Sequence, residues 1–481
     1  MVDELNRNMY DIARNSLDRI TKMNRAFIII ITLVIAGTFF DAIEQYNAGY
    51  AAIDASAVLH ISEFTLSSDV EFITFAFMAI GGIIAGIMGD YLGRRFLYSF
   101  NLGIYAVGAL ISALAINFLM FSVGRAVVGL GLGGEIAVGL TLISEIMPKK
   151  VRGQFTGMVN VGPGIGIFAV ALLALLFFGP YEKYFGGALY SWRWFLGVLI
   201  LPALLILVYR RYIPETPRFL ISKNKPDEAF GVIKMLSENR LIPMSKLLKV
   251  YDPESLRKEF NYLGAEVKYE KPQISDIFKG FYLKRSIMLF VLSFITFGIS
   301  ASYTIIYPYL FSGVTSQLKL PSTFILTTIL NFGTLMGTIV AVIIAGHSRR
   351  MTISIVGFFA AIFSVGAIIF VSDPYMIIGF LFLFTLTAYA SNTMIWLYAP
   401  EMYPTRTRNI GTGLILVTSL AAVAIMLYII SGIYSIYGLH GIIILTSIAY
   451  AAYAIIAIIM VEDTVMKDLE EVSPVWEKRQ S

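Results

Sequence analysis

The sequence predicts an all-α membrane protein with twelve transmembrane helices arranged in two six-helix bundles. Hydrophobic residues make up 57% of the 481 residues and charged residues only 14%, with a mean hydropathy of +0.75. A soluble chain of this length could not bury that much apolar surface. Twelve apolar segments are long enough to cross a bilayer, for which about 20 residues suffice. Six of them lie before a polar stretch at 212–283 and six lie after it.

Composition also narrows the function. The chain has no Cys and three His, so disulfides, thiol catalysis and Cys- or His-rich metal sites are not expected. No phosphate-binding loop or catalytic triad pattern is visible, and we expect neither an enzyme nor a cofactor. The net charge of +5 indicates membrane topology rather than nucleic-acid binding. The expected partners are a small-molecule substrate, protons and the lipid bilayer, and we expect a monomer.

The polar N-terminus, residues 1–25, is predicted to be a cytoplasmic amphipathic segment. Apolar residues recur at helical spacing among basic ones, at Met9, Ile12, Ala13, Leu17 and Ile20. This pattern favours a short helix lying on the membrane surface. A basic tail without fixed structure is the alternative.

The spanning segments and their connections follow in order. The first bundle, 26–211, contains segments at 26–47, 71–89, 96–116, 119–146, 154–178 and 193–211. A cytoplasmic linker is expected at 212–283. The second bundle, 284–462, contains segments at 284–311, 322–346, 351–371, 375–400, 409–432 and 438–461. A cytoplasmic tail is expected at 463–481.

Basic residues predict the orientation of these segments. With the N-terminus inside, 33 of the 37 Lys and Arg residues lie in inner segments. Short inner loops of membrane proteins are enriched in Lys and Arg. Both termini and the linker are therefore predicted to be cytoplasmic, in a multi-pass protein of the cell membrane.

The two halves repeat each other. The pattern Glu145-x-x-Pro-x-x-x-Arg152 recurs as Glu401-x-x-Pro-x-x-x-Arg408, and Arg94-Arg95 recurs as Arg349-Arg350, at offsets of 256 and 255. Duplicated halves predict two bundles that rock about a site near the membrane midplane.

Several motifs resemble those of the major facilitator superfamily. They are Gly86-x3-Asp90-x2-Gly-Arg-Arg95, Arg125-x3-Gly-x-Gly-x-Gly, Ser191-Trp-Arg-Trp194 and Pro214-Glu-Thr-Pro-Arg-Phe-Leu220. The last three look like the sugar-porter and organic-ion branches. Gly133-Gly134-Glu135 and Pro400–Arg406 look closer to the sub-branch of nicotinate and aromatic-acid uptake proteins, phosphate symporters and synaptic-vesicle-2-like proteins. The double glutamine of sugar porters is absent from Phe297–Tyr303, which argues against a hexose.

Four charged residues inside the first bundle are predicted to couple transport to protons: Glu44, Arg125, Asp41 and Glu135. A carboxylate that moves between apolar surroundings and a cation can bind and release a proton. By resemblance, Glu44 falls where sugar porters place a proton-carrying Asp, and Arg125 falls at its partner arginine. Glu135 matches an acidic residue implicated in coupling in phosphate and organic-acid symporters. Asp41 and Glu44 share a helix face, expected near the outer part of the span; acids capping helix ends are the alternative.

A second charged group is predicted to form a cytoplasmic latch between the bundles. Its members are Asp90, Arg94, Arg95, Glu145, Arg152, Glu401 and Arg408. Their ion pairs would break as the site changes access from one side to the other. The alternative is that the basic residues only anchor the inner loops. Ala345 replaces the Asp in the second-half motif, so the latch there is degraded or uses other partners.

The second bundle offers neutral groups instead of charged ones. Its predicted substrate-binding residues are Tyr303, Tyr307, Asn331, Tyr389, Asn392 and Trp396. Neutral donors and aromatic faces suit a small polar or aromatic molecule.

These features together predict a secondary active transporter that works by alternating access. Proton-coupled symport of a small organic metabolite, either an organic or aromatic acid or a sugar, fits them best. A proton-driven exporter of cationic or amphiphilic compounds is an alternative, because Gly157-x4-Gly162-Pro163-x-x-Gly166 resembles a proton-antiporter motif. A non-transporting sensor that keeps the fold is another.

Overall fold

The computed structural model describes residues 2–20, 24–148, 159, 161–198, 200, 213–262, 274–312, 322–370, 372–403 and 408–465. Regular secondary structure in these ranges is entirely helical. The first half contains α1 (Val2–Asp18), α2 (Arg25–Leu59), α3 (Glu63–Leu92), α4 (Arg94–Ala113), α5 (Phe118–Ile146), α6 (Val161–Phe178) and α7 (Ser191–Val198). The linker contains α8 (Pro217–Ser222), α9 (Pro226–Ser237), α10 (Leu247–Val250) and α11 (Pro253–Phe260).

The second half contains five long helices: α12 (Gly280–Ser312), α13 (Thr323–Ile344), α14 (Arg349–Ile369), α15 (Pro374–Tyr398) and α16 (Arg408–Met460). Short 3₁₀ turns lie at Glu182–Phe185, Met244–Lys246, Ile274–Phe278 and Ala399–Met402. Helix starts follow local capping rules. Asn117 caps α5 by accepting a hydrogen bond from the Met120 amide, and Asp373 caps α15 ahead of Pro374 at its first position.

Ten helical segments of the described ranges are long and apolar enough to cross a membrane. The last of them belongs to α16, whose 53 residues correspond to roughly 80 Å at 1.5 Å per residue, enough for two crossings. Gly438 interrupts α16 with φ 63° and ψ −155°, a conformation that glycine adopts far more readily than other residues. This break lies at the predicted boundary between the last two spans.

Each half packs as its own bundle. In the first half α5 lies between α3 and α4, and in the second half α16 packs on α12 and α14. The halves meet chiefly where α3 contacts α16 and where α6 contacts α13. The linker helices lie on one side of the molecule, which we call the linker side; the opposite side is the far side.

The apolar face of α1 packs on the linker. It is buried at Met9, Ala13 and Leu17 and contacts α8 and α9; the predicted location of this segment on the membrane surface stays a prediction. An amphipathic pattern requires an apolar partner but does not distinguish lipid from protein. The linker is also tied to α2, since the Asn239 side chain accepts a hydrogen bond of 2.9 Å from the Ala26 amide.

The first spanning helix is longer than expected. The sequence suggested an end near residue 47, whereas α2 continues to Leu59. The additional turns are helix-forming and buried, with Tyr50, Ala51 and Ala55 fully packed. Glu44 therefore lies near the middle of a 35-residue helix, and not near the end of a span.

Candidate functional site

A buried ion pair joins α2 to α5 at the centre of the first bundle. The Arg125 Nη1 atom lies 3.0 Å from Glu44 Oε1, with 0% and 2% of the two side chains exposed. Asn47 completes the pair: its Nδ2 donates to Glu44 Oε2 at 2.9 Å and its Oδ1 accepts from Arg125 Nη1 at 3.1 Å. Buried charges require both a counter-charge and saturated hydrogen bonds. The structure forms the predicted Glu44–Arg125 contact; its role in coupling stays a prediction.

Sequence spacing explains how this cluster assembles. Glu44 and Asn47 are one turn apart and therefore share a face of α2. On α5, the glycines that follow Arg125 let the backbone of this helix contact the backbone of α3. There is no room for a side chain between them, since a Cβ on Gly133 would lie 1.8 Å from the Met78 carbonyl oxygen. This approach brings Thr74 of α3 within 3.3 Å of Arg125 Nε.

A further carboxylate, Glu71, lies at the same cluster and was missed by the sequence reasoning. It stands one turn before Thr74 on α3 and is 0% exposed. It lies close enough to Arg125 and Glu44 to interact with both electrostatically. The sequence contained a sign of this residue, because an acid, Glu71, is the first residue of the predicted span at 71–89. Acids at span ends are usually hydrated, but α3 begins eight residues earlier, at Glu63, which places Glu71 inside the helix.

The other two predicted coupling residues lie at different depths. Asp41 is buried one turn before Glu44 on α2. Glu135 is buried on α5, ten residues after Arg125 and hence about 15 Å further along the helix axis. Both roles stay predictions. No group of three or more metal-ligating side chains occurs among the residues with described positions.

Three of the predicted substrate-binding residues form one stripe on α15: Tyr389, Asn392 and Trp396. The Tyr389 hydroxyl is 2.8 Å from Thr304 Oγ1, and Asn392 Nδ2 donates to Ser300 Oγ at 3.4 Å. Trp396 is half-buried and contacts Phe297 edge to face, with 6.3 Å between ring centroids. The stripe therefore lies against α12.

The other three are directed elsewhere. Tyr303 bonds to Thr446 of α16 at 2.7 Å, and Tyr307 bonds to Thr385 of α15 at 2.8 Å, so both hydroxyls have partners inside the second bundle. Asn331 Nδ2 donates to the Tyr50 hydroxyl at 2.6 Å and thereby connects α13 to α2 across the bundles. The six predicted residues thus divide into a stripe, an internal pair and a bundle-to-bundle contact.

The bundles meet closely on the far side. A Cβ on Gly49 of α2 would lie 2.4 Å from the Ile305 carbonyl oxygen of α12. The Tyr428 hydroxyl of α16 donates to Asp69 of α3 at 2.7 Å, and the Phe178 and Phe324 rings stack at 5.5 Å. Together with the Asn331–Tyr50 bond, these contacts close the far side over the Arg125 cluster.

Charged residues of the repeated motifs meet on the linker side. Arg94 lies 3.6 Å from Glu145, whose other oxygen accepts from Thr216 at 2.6 Å. Glu215 accepts hydrogen bonds from the backbone amides of Arg94 and Arg95. Burial raises the pKa of the Glu215 carboxyl, and these amide donors partly oppose the rise. The linker is thereby held against the start of α4.

The second half repeats this arrangement. Arg349 binds Glu401 at 2.7 Å, as Arg94 binds Glu145, and the Arg349 amide donates to Asp463 at 2.8 Å. The ion pairs described here join helices of the same bundle, whereas the predicted latch would join the two bundles. The side chains of Asp90, Arg152 and Arg408 lie outside the described residues.

Comparison with known proteins adds a family to this geometry. Residues 25–476 match the family model described as "Sugar (and other) transporter". A niacin transporter of Acinetobacter baylyi is 29% identical over 350 residues, which cover 71% of this chain and 72% of that protein. A glucose transporter of Staphylococcus epidermidis is 26% identical over 400 residues, which cover 79% and 82%.

Solved structures show the same fold. The proton:xylose symporter XylE of the major facilitator superfamily, bound to 6-bromo-6-deoxy-D-glucose, superposes with a TM-score of 0.68. It is 17% identical, and the match covers 92% of this chain and 98% of that one. The inward-open form of the E. coli protein gives a TM-score of 0.65 at 17% identity, with coverage of 92% and 99%. The predicted fold, twelve helices in two six-helix bundles, is confirmed.

Proposed function

The chain belongs to the sugar (and other) transporter family of the major facilitator superfamily, and on this premise we propose that it is a proton-coupled symporter of a small organic metabolite. The observation that supports this function most directly is the buried Glu44–Arg125 pair. An ion pair withdrawn from water is stable only while both charges are present and bonded. Protonation of Glu44 would remove one charge and release Arg125, so proton binding and helix position are linked.

The stripe on α15 supports a substrate site facing this pair. Tyr389 also interacts with Tyr46 of α2, so the stripe lies beside the helix that holds Glu44. Its amide, phenol and indole groups suit a small molecule with polar substituents or an aromatic ring. The relatives are named for niacin and glucose. We propose an organic acid, especially an aromatic one, or a sugar as the substrate.

An anionic substrate has one further consequence. Arg125 is engaged by Glu44, and within 280–312 and 408–460 the Lys and Arg residues lie only at or near helix ends. A carboxylate substrate would therefore compete with Glu44 for Arg125. That competition would itself couple substrate binding to protonation of Glu44.

The topology proposal follows from the distribution of basic residues. We place both termini and the linker in the cytoplasm and the protein in the cell membrane. The linker side is then the cytoplasmic side, and the far side, closed by Tyr50 and Asn331, faces outward. The boundaries at 26–211, 212–283 and 284–462 follow from the same assignment.

Transport in proteoliposomes tests the function. Proteoliposomes that contain the purified protein would be placed in a medium with radiolabelled nicotinate, D-glucose or D-xylose, and an inward proton gradient would be imposed. We expect gradient-driven accumulation of at least one probe in the wild type. Glu44→Gln should reduce accumulation to the equilibrium level while counterflow exchange continues. Glu228→Gln, which removes an acid from the linker surface, is the control; unchanged accumulation in Glu44→Gln would contradict the assignment.

The exporter alternative rests on the glycine-proline motif of α6, for which the structure offers a packing reason. A Cβ on Gly162 would lie 2.3 Å from Thr38 Oγ1, and one on Gly166 would lie 2.4 Å from the Phe39 carbonyl oxygen. These glycines let α6 approach α2, whatever the transport direction. Inside-out vesicles distinguish an importer from an exporter, because an exporter would accumulate the probe in the vesicle lumen, driven by an outward-directed proton gradient. A sensor would bind a probe without accumulating it.

A further inference from the structure

The Arg125 cluster contains one more acid than base. Arg125 carries one positive charge, while Glu44 and Glu71 can each carry a negative one. All three side chains are at most 2% exposed. With both acids ionised, the cluster would hold an uncompensated buried negative charge, which costs several kcal/mol even after relaxation. A neutral cluster requires one bound proton.

Hydrogen bonding indicates which acid holds that proton. Glu44 accepts from Arg125 and from Asn47, as an ionised carboxylate does. Neither oxygen of Glu71 makes a hydrogen bond of standard geometry with any described residue, although the Gly49 amide approaches it from α2. An ionised carboxylate without donors is far less stable in a buried site than a protonated one. In this conformation the proton therefore belongs on Glu71.

Arg125 is placed to exchange partners. Guanidinium has five N–H donors, of which four are used: Nε on Thr74, Nη1 on Glu44 and Asn47, and Nη2 on the Glu44 backbone carbonyl. The remaining N–H belongs to Nη2. Thr74 and Glu71 share a face of α3, so the side chain that already contacts Thr74 has Glu71 one turn away.

Among the described residues, Arg125 is the cation that interacts electrostatically with Glu71, and Glu44 and Tyr46 of α2 are the other groups that do so. The helices α2 and α5 also carry the buried acids Asp41 and Glu135, which add no compensating positive charge. The helices α12 and α16 contain no Asp or Glu, and their Lys and Arg residues lie at or near helix ends. On α3 itself Asp69 is engaged by the Tyr428 hydroxyl.

We propose that Glu71 is a second proton-binding carboxylate, and that Glu44 and Glu71 alternate as the anionic partner of Arg125. This assignment rests on the proposed function for its place in transport. One proton binds to the acid pair, Arg125 stays charged throughout, and no other group is transferred. When the proton leaves Glu71, two carboxylates share Arg125 and the cluster becomes negative. That state is stable only with water in the site, so the substrate-filled site closes only when a proton is bound, whereas the empty, water-filled site can close without one.

Infrared spectroscopy tests the proton site without any substrate. The protein in lipid nanodiscs would be titrated from acidic to alkaline pH while the stretching band of protonated carboxyl groups is recorded. We expect Glu71→Gln to abolish a component of the band that disappears as pH rises, and Glu71→Asp to retain it. Asp69→Asn, two residues away on the same helix, is the matched control and should leave that component in place.

Two results would overturn the assignment. One is a Glu71→Gln variant that keeps the whole titrating band. The other is a variant that loses only a component that does not change with pH, because this would make Glu71 a permanently neutral packing residue. Thermal unfolding of each variant shows whether the protein is folded, and Glu71→Asp preserves the acid if glutamine prevents folding.

Transport places the same residue in the cycle. Nicotinate, D-glucose and D-xylose would be the probes in proteoliposomes. With any probe that the wild type accumulates, Glu71→Gln should carry out exchange that is independent of pH and should lose gradient-driven accumulation. Exchange that keeps the wild-type pH dependence would contradict the alternation. If the wild type accumulates none of these probes, the proposed function fails, whereas the infrared titration still decides the proton site.

Discussion

Replacing Gly133 with alanine tests whether the close approach of α5 to α3 builds the central cluster. The new Cβ would lie 1.8 Å from the Met78 carbonyl oxygen and within 3 Å of two further backbone atoms. Backbone cannot rotate away as a side chain can, so the helices must separate by at least about 1 Å. Gly81 and Gly129 line the same interface, where a Cβ would approach backbone oxygens to 2.3 Å, and their contacts would loosen as well.

The expected cost follows from this geometry. Overpacking a well-packed core costs about 1–3 kcal/mol, and a clash with backbone belongs in the upper half of that range. If the first bundle unfolds as one unit of about 190 residues, Tm should fall by roughly 4–12 °C. Thermal unfolding in detergent, followed by tryptophan fluorescence, measures this change.

Gly103→Ala is the matched control. A Cβ at Gly103 has no atom within 4 Å, and alanine favours a helix over glycine by about 0.8–1 kcal/mol. We expect its Tm to be unchanged or higher. Gly133→Ala should also reduce proton-driven uptake, because separating the helices draws Thr74 away from Arg125. Equal Tm values for the two variants would refute the reasoning.

Three further predictions concern the linker, the substrate stripe and the far side. Hydrogen bonds from Arg257 hold the pKa of Asp227 below its ordinary value; this stabilisation is present above the ordinary pKa and is lost as pH falls through the lowered one. Asp227→Asn should therefore speed hydrogen exchange of α11 at neutral pH but not in acid, and equal effects at both would contradict it. Asn392→Ala should raise the Kd of a probe that the wild type accumulates about tenfold, which is the equivalent of one hydrogen bond. The pH dependence of uptake should not change. An unchanged Kd would show that Asn392 does not bind the substrate. Tyr428→Phe removes the hydrogen bond to Asp69, which is worth about 1 kcal/mol at an exposed position. Since the chain has no Cys, a single cysteine can be introduced on the far side, and the substitution should speed its labelling by about fivefold at most. An unchanged labelling rate would show that this bond does not hold the far side closed.

Much of the candidate site was accessible from the residues alone. Glu44 and Arg125 are charges inside predicted spanning segments, where an unpaired charge is unstable, and the resemblance to sugar porters pairs them. Glu71 was not accessible in the same way. An acid at the edge of an apolar segment is expected to be hydrated unless the helix is known to begin earlier. The start of the helix depends on how residues 63–70 pack.

The stripe of α15 shows the same limit. The sequence identifies Tyr303, Tyr307 and Tyr389 as neutral polar groups at membrane depth, but it does not say which neighbour each hydroxyl reaches. Tyr303 and Tyr307 bond within the second bundle, whereas Tyr389 lies beside α2. Helix rotation decides this, and rotation is set by packing between helices far apart in sequence.

By itself, the sequence determined the helical class, the two halves and the family, because apolar length, repeats and charged motifs are properties of local segments. The tertiary structure decided which surfaces these segments share. It packed the apolar face of α1 on the linker and kept the described Arg94 and Arg349 ion pairs within their own bundles. It also brought a second acid to Arg125. An apolar face or a charge specifies that it needs a partner, and only the packed chain determines which partner is within reach.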